Sequence, residues 1–344
     1  MEDILRLLKN IVPELVEDLE KRYNILRTIY YYQPIGRRVL ANKLTLSERI
    51  VRTEVNFLKS QNLIHISTPG MSVTTQGEEV VEKLKEFIHQ IKDLAEIEQK
   101  LRKILGLKKV IIVPGDIEED PSVIMELGKA AAKYASQVIK SHDIVAITGG
   151  STIKEVVEHF PKMSNIRDVL VVPARGGMGK KVETQANTLA ARLAQKLNGN
   201  YKMLHVPENL SGNALDTLLK EREIKEIIES IHKSNVLIYG IGIADEMADK
   251  RGLSEEEKQK VRDLKAVGEA FGCYFNKEGE VIFVSSAIGI NIDVAKKIET
   301  HIAVAGGKNK VEAILATENT NQYGVLVTDE GAATGLIKYF EGNV

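Results

Sequence analysis

From residue 110 onward the chain repeats one unit: a short apolar run, a turn, then an amphipathic stretch. The runs lie at 110–113, 143–147, 169–172, 202–206, 235–239, 281–284, 302–305 and 325–327. Continuous apolar runs suit strands covered on both faces. Strands that alternate with helices pair in parallel, because a parallel neighbour must be reached by a crossover. The region is therefore predicted to be α/β, with a doubly wound, mostly parallel, Rossmann-like sheet. Such sheets take ligands at the carboxyl ends of their strands, so the turns after the runs are the candidate chemistry.

The sharpest turn is Thr148-Gly149-Gly150-Ser151-Thr152, between a run and a helix expected to reach Glu158. Glycines let the backbone turn with its amides converging, the next helix adds the positive end of its dipole, and two hydroxyls add donors. That combination suits phosphate. It is not Walker A, which needs Lys-Ser/Thr, and not G-x-G-x-x-G, since Gly149 and Gly150 are adjacent. Without a ligand the same residues would serve as a tight turn.

Other strand ends carry polar groups. Arg175-Gly176-Gly177 precedes a helix expected to carry Gln185; Gly240-Ile241-Gly242 leads to Asp245 and the pair Lys250-Arg251. Glu269 precedes Phe271-Gly272-Cys273-Tyr274, and Ala305-Gly306-Gly307 leads to Lys308 and Lys310. Several glycine loops with cations suggest a small, hydroxylated, anionic ligand. Arg175 could clamp a phosphate bidentately and Lys310 act as a point charge. Glu269 and Gln185 could bind sugar hydroxyls.

The total charge of −1 hides a basic unit. Residues 21–76 hold Lys21, Arg22, Arg27, Arg37, Arg38, Lys43, Arg49, Arg52 and Lys59 against Glu48 and Glu54, a net +7. Such a patch is the footprint of a polyanion partner. Helical spacing is expected over 20–31, broken by Pro34 and Gly36, then over 37–44 with Val39, Leu40 and Leu44 inward, then over 48–60 with Ser47 as N-cap. Val51, Val55 and Leu58 should face the core, leaving Arg49, Arg52, Thr53 and Asn56 on another face. That set can read base edges or grip phosphates. Arg37 and Arg38 open the second helix, where cations oppose its dipole, so backbone phosphate contact explains them better than stability does. Runs at 63–66 and 71–73 around Thr68-Pro69-Gly70 complete a winged helix-turn-helix. A winged helix used for protein contacts alone is the plainer alternative.

Two helical segments flank this unit. Residues 4–19 carry an apolar stripe (Ile4, Leu8, Ile11, Leu15, Leu19), which Pro13 should kink or split. The stripe could pack within the monomer or on a partner subunit. Residues 78–105 place Leu84, Phe87, Ile91, Leu94, Ile97, Leu101 and Ile104 near coiled-coil spacing, as a dimer-supporting connector. The expected organisation is 1–76 for DNA binding, 77–105 as connector and 106–344 for a sugar-phosphate effector. One cysteine, Cys273, excludes an internal disulfide, no 18-residue apolar run exists, and no signal peptide is apparent, so a cytoplasmic protein is expected.

The stretch 21–66, with Pro34-Ile35-Gly36-Arg37-Arg38 and Leu46-Ser47-Glu48-Arg49, resembles the DNA-binding module of SorC-type, sugar-sensing bacterial repressors, in the branch that controls glycolytic genes. The likeness continues through Thr148 to Thr152, Val267-Gly268-Glu269-Ala270-Phe271-Gly272 and Ala305-Gly306-Gly307-Lys308. It implies a homo-oligomer (a dimer, or a tetramer on DNA) bound to double-stranded operator DNA, with fructose 1,6-bisphosphate or a related sugar phosphate as effector and no cofactor. By that resemblance one phosphate sits on Gly149, Gly150, Ser151 and Thr152 with Arg175 nearby, and Gln185, Asp245, Glu269 and Lys310 surround the sugar and second phosphate. The family's arginine after Asp245 corresponds to Lys250 or Arg251. The large domain also resembles sugar-phosphate isomerases and deaminases.

That last likeness raises an enzyme with an appended DNA-binding module as the alternative. Proton transfer beside a carbonyl needs a poised base. The deaminase relatives place Asp and His after the Gly-x-Gly strand end; here Asp245 is kept, but residues 240–247 hold no His. The seven histidines do not cluster and no metal-ligand spacing appears, so neither catalytic nor metal-binding residues are expected.

Overall fold

The computed structural model describes residues 11–177, 181–206, 217–285, 288–318 and 324–342. The chain divides into two compact units, Met1–Ile97 with Pro114–Val123, and Glu98–Val113 with Ile124–Val344.

In the smaller unit Pro13 splits the helical stretch as its ring predicts: Ile11 is helical, Val12 is not, and a new helix starts at Pro13. Its missing N–H costs nothing in the first turn, and α1 runs unbroken as Pro13–Tyr32. The part of the 4–19 segment that follows Pro13 is continuous with the helix expected at 20–31, whereas Ile11 lies beyond the break at Val12; Ile4 and Leu8 lie outside the described residues. Ile11 and Leu15 are exposed, while Leu19 packs on the core. Helix α2 is Arg37–Lys43 and α3 is Glu48–Ser60, with the Ser47 hydroxyl accepting from the Ile50 amide at 3.3 Å. Strands β1 (Ile64–Ser67) and β2 (Gly70–Val73) form an antiparallel hairpin, and Ile35 bridges to Met71 on its free edge. The hairpin is the wing. Tyr23, Leu26, Ile29, Leu40, Val51, Val55, Leu58, Ile64 and Met71 make the core. Val39, expected inward, is 51% exposed, because α2, about two turns long, turns only Leu40 and Ala41 fully to the core.

The predicted connector is two helices. Helix α4 spans Thr75–Ile91 and α5 spans Leu94–Leu105, parted at Asp93, whose φ of +50° cannot continue a right-handed helix. Leu94 and Leu101 are buried, and Ile104 is exposed.

In the larger unit β3 (Lys109–Val113) precedes α6 (Val123–Val138). Then follow β4 (Ile144–Ile147), α7 (Ser151–Glu158), β5 (Leu170–Pro173), α8 (Ala186–Lys196), β6 (Asn200–Tyr201), α9 (Arg222–His232) and β7 (Val236–Gly240). After β8 (Gly242–Ile243) come α10 (Ala244–Lys250), α11 (Glu255–Asp263), β9 (Gly268–Ala270), β10 (Cys273–Phe275), β11 (Val281–Val284) and α12 (Ile292–Ala295). Strand β12 (Thr300–Val304), α13 (Val311–Glu318), β13 (Gly324–Asp329) and α14 (Glu330–Gly342) complete the fold.

Seven parallel strands run in the order β3-β13-β12-β7-β4-β5-β6. The order runs outward in both directions from β7, so the sheet is doubly wound, and its central strands are buried on both faces, as the apolar runs require. Two expectations change. The run at 202–206 is not a strand: pairing to β5 stops at Tyr201. The run at 281–284 joins a separate antiparallel sheet, β11-β10-β9-β8. No helix among the described residues is long and apolar enough to cross a membrane.

Leu40 is fully buried in the smaller unit's core. Leu40→Ala is expected to remove about 2–5 kcal/mol of that unit's stability. Calorimetry should show a lower midpoint for its transition with the larger unit's unchanged; equal shifts would mean the units melt as one.

Candidate anion pocket and nucleic-acid interface

The larger unit holds a cavity of about 530 Å³ at the carboxyl ends of β4, β5, β7 and β12, roofed in part by the small antiparallel sheet. Its volume lies within the usual range of about 300–1,000 Å³ for small-molecule sites. Of the residues singled out from sequence, Gly149, Gly150, Ser151, Thr152, Arg175, Lys250, Arg251, Glu269 and Lys310 line it.

At the end of β4 the backbone explains both glycines. A Cβ on Gly149 would lie 2.7 Å from the Thr184 carbonyl, and Gly150 sits at φ +122°, where side chains are strained. The Gly150 amide is already used, donating to Thr184 O at 2.9 Å. The donors left over are one step further on. Gly150 is the N-cap of α7 and supplies no side chain; among the described residues nothing accepts from the amides of Ser151, Thr152 and Ile153. These amides, the α7 dipole and the two hydroxyls are the donors that this turn offers to an anion.

The other glycine loops are differently engaged. The Gly176 amide donates to Ile288 O and the Gly177 amide to Val206 O. The Gly307 amide donates to both carboxylate oxygens of Asp329, each at 3.0 Å. None of these three amides is open to a ligand.

Charge in the pocket is strongly one-sided. The Arg175 guanidinium is buried against the Phe271 carbonyl and the Ser285 hydroxyl, the latter 3.0 Å from Nη2. It occupies the space that a side chain on Gly272 would fill. Burial first, and then the neighbouring Arg251, push its pKa down to about 10. Arg251 Nη2 lies 2.7 Å from Glu269 Oε1, which also accepts from the Gly272 amide. Two buried guanidiniums therefore face one buried carboxylate. Lys310 is held below the ordinary lysine range by burial and then by Lys250. A cation depressed by burial beside a second cation is one that a bound anion would restore.

Lys250 and Arg251 are now separable. Arg251 is buried and committed to Glu269; Lys250 is exposed and pairs with Glu246 at 3.0 Å. Asp245, the first turn of α10, is exposed and turns to Arg262 Nε at 3.3 Å, outside the cavity. Gln185 forms the N-cap of α8, and its neighbours Thr184 and Ala186 line the cavity in its place. Sequence reasoning missed Lys181, Thr184, Glu246 and Met247, and quoted Phe271 only within a motif. Only the three-dimensional return of 181–186 to the glycine turn reveals the first two.

In the smaller unit, Arg49, Arg52, Thr53 and Asn56 are all exposed on α3, and Arg37 and Arg38 are exposed at the start of α2. Ser47 is spent on capping α3. Other basic residues of this unit serve the fold. Arg22 Nε bonds Glu54 at 2.8 Å and stacks on Phe57 at 3.9 Å, Lys43 covers the Tyr32 ring at 3.6 Å, and Arg27 is buried on Asp120. The exposed cations are thus concentrated on α2 and α3, the pair that forms a helix-turn-helix.

Comparison with known proteins supports both units. Residues 19–88 match the family "CggR N-terminal DNA binding domain", and residues 89–338 match the family "Putative sugar-binding domain". The chain is 41% identical over 338 residues to the Central glycolytic genes regulator of Bacillus subtilis, covering 98% of this chain and 99% of the relative. It is 40% identical over 341 residues to the protein of that name in Priestia megaterium, covering 99% and 100%. These full-length relatives are transcriptional regulators and not enzymes. The structure of the full-length Sorbitol Operon Regulator SorC of Klebsiella pneumoniae shares the fold, at a TM-score of 0.67 and 19% identity over 93% of this chain and 99% of that one. With an amino-terminal winged helix, a carboxyl-terminal seven-stranded parallel sheet and about 40% identity along nearly its whole length, the chain belongs to the SorC family of sugar-binding transcriptional regulators, among the central glycolytic genes regulators.

Proposed function

We propose that the protein is a cytoplasmic repressor of glycolytic genes whose grip on double-stranded operator DNA is weakened by a phosphorylated sugar, fructose 1,6-bisphosphate. The observation that carries the effector reading is the pocket's excess of unsatisfied positive charge: three open amides at α7, two buried guanidiniums per carboxylate, and the depressed Lys310. One phosphate is assigned to the first turn of α7 with Ser151 and Thr152. The second is assigned to Lys310 and Lys250, with the sugar hydroxyls between them. Arg175 supports the site from beneath, through Phe271 and Ser285.

On the DNA side, two copies of α3 in a homo-oligomer would enter successive major grooves. Arg49, Arg52, Thr53 and Asn56 would face the base edges, and Arg37 and Arg38 the phosphates. The bisphosphate then acts by its differential affinity for the free and operator-bound states, a coupling of about 1–3 kcal/mol.

Operator binding titrated with fructose 1,6-bisphosphate, and separately with glucose 6-phosphate, tests the central reading. Loss of operator affinity with the bisphosphate at lower concentration than with the monophosphate is expected; equal affinity of ligand for free and bound protein would refute it. Replacing Arg52 by Ala should cost about 1–3 kcal/mol and relax the base preference. A sequence-independent loss with a shallower salt dependence would make Arg52 a phosphate contact.

The depressed Lys310 sets a pH dependence. A bound dianion favours the charged ammonium, so effector affinity is full below the free protein's lowered Lys310 pKa and declines as pH rises through it. Calorimetry well above the phosphoester's second ionisation, about pH 6, should register proton uptake on binding. Lys310→Arg, permanently charged, should remove that uptake. Uptake of the same size in that variant would place the titrating group elsewhere.

A further inference from the structure

Arg27 is fully buried in the smaller unit, although its sequence neighbours place it among charges expected to face a polyanion. Its guanidinium donates from Nη1 to the Pro114 carbonyl at 3.1 Å and from Nη2 to Asp120 Oδ2 at 2.6 Å. Gly115, at φ +103°, lets the backbone pass beside it, since a Cβ there would sit 3.3 Å from Nη2. Helix α1 therefore grips a segment, Pro114–Val123, that groups with the smaller unit. Its neighbours along the chain, β3 before it and the body of α6 after it, belong to the larger unit.

Both ends of that segment lead to one turn of the anion pocket. Just before it, Val113 is the register partner of Asp329 in the β3–β13 pair. Asp329 holds the Gly307 amide, and the Gly307 carbonyl accepts from the Lys310 amide at 3.0 Å. Just after it, on α6, Leu127 packs so near the same turn that a Cβ on Gly306 would lie 2.8 Å from its Cδ1. On α1, Tyr23, Leu26 and Ile29 share a core with Val51 and Val55 of α3.

We infer that the Arg27–Asp120 pair is the joint through which occupancy of the anion pocket alters operator affinity. The inference rests on the effector reading above and names its route. The pair touches neither ligand nor DNA; it is a positioning pair. Separating it would leave a buried charge without its partner, which is strongly unfavourable. The segment therefore follows α1 as one body, and a shift of the Lys310 turn is passed along β3 and α6 to the helix that backs α3.

The test uses the full-length protein and Asp120→Asn, which keeps the shape and an acceptor for the Ser122 amide but removes the charge. Because Arg27 loses its partner charge, the smaller unit should melt earlier than in wild type; at a temperature where circular dichroism shows it still folded, operator affinity without effector, and fructose 1,6-bisphosphate affinity without DNA, should remain close to wild type. The factor by which the bisphosphate weakens operator binding, about 5–150-fold in wild type, should fall toward one. An unchanged factor would overturn the joint. Hydrogen exchange on the wild type gives a second reading that needs no variant. Bisphosphate should change protection at residues 23–29 and 116–123, and identical exchange there would equally overturn it. A wild-type operator affinity indifferent to every sugar phosphate is a different result: it defeats the effector reading, and the joint with it.

Discussion

The first turn of the helix Ser151–Glu158 is the constraint around which the larger unit is arranged. A helix beginning at a glycine has no side-chain cap, and the Ser151, Thr152 and Ile153 amides are left without acceptors at the carboxyl edge of a parallel sheet. Orphan amides are tolerable at a water-filled cavity and costly anywhere else. The rest of the pocket keeps that opening electropositive. The return of 181–186 braces Gly149 and takes the Gly150 amide, and the Arg251–Glu269 pair ties the small antiparallel sheet to α10. The result is an electropositive opening whose donors are fixed in place by the fold.

Charge does two different jobs in this protein. Among residues 21–59 roughly half of the basic residues hold the fold, through Glu54, Tyr32, Phe57 and Asp120, and the remainder stand exposed on α2 and α3. In the larger unit the cations are buried or half-buried and under-compensated, which depresses Arg175 and Lys310 in the same sense. Exposed cations give salt-dependent attraction to a long polyanion. Buried ones give selectivity for a small anion that can replace lost water. The SorC-family assignment and these two electrostatic settings agree on a regulator that reads DNA with one unit and a metabolite with the other.

The local signals that were legible share one property: they depend on neighbours within a few residues. Ser47 caps its helix, Val51, Val55 and Leu58 face inward, and Pro69-Gly70 closes the wing, all from spacing alone. Pro13 belongs with them, since its ring ends the helical stretch at Val12 and suits the first turn of the next helix. Asp93 shows the limit, since nothing in the apolar spacing of 78–105 announces a residue at positive φ.

By itself the sequence determined the layer architecture, the strand-end glycine turns and the exposed basic face, because periodicity and local backbone freedom suffice for these. Tertiary structure decided which glycine turn has amides to offer. The turns at 149–150, 176–177 and 306–307 look alike as sequence, yet Thr184, Ile288, Val206 and Asp329, remote in the chain, occupy the amides at all three. Among the described residues, the helix start beyond Gly150 presents three consecutive amides, of Ser151, Thr152 and Ile153, with no acceptor. It also decided that Arg251 is buried on Glu269 while Lys250 stands exposed at the cavity beside Glu246, and that Arg27 serves Asp120 and not DNA. Hydrogen bonds and ion pairs are satisfied by whatever the fold brings within 3 Å or so, and that proximity is invisible until the chain has closed on itself.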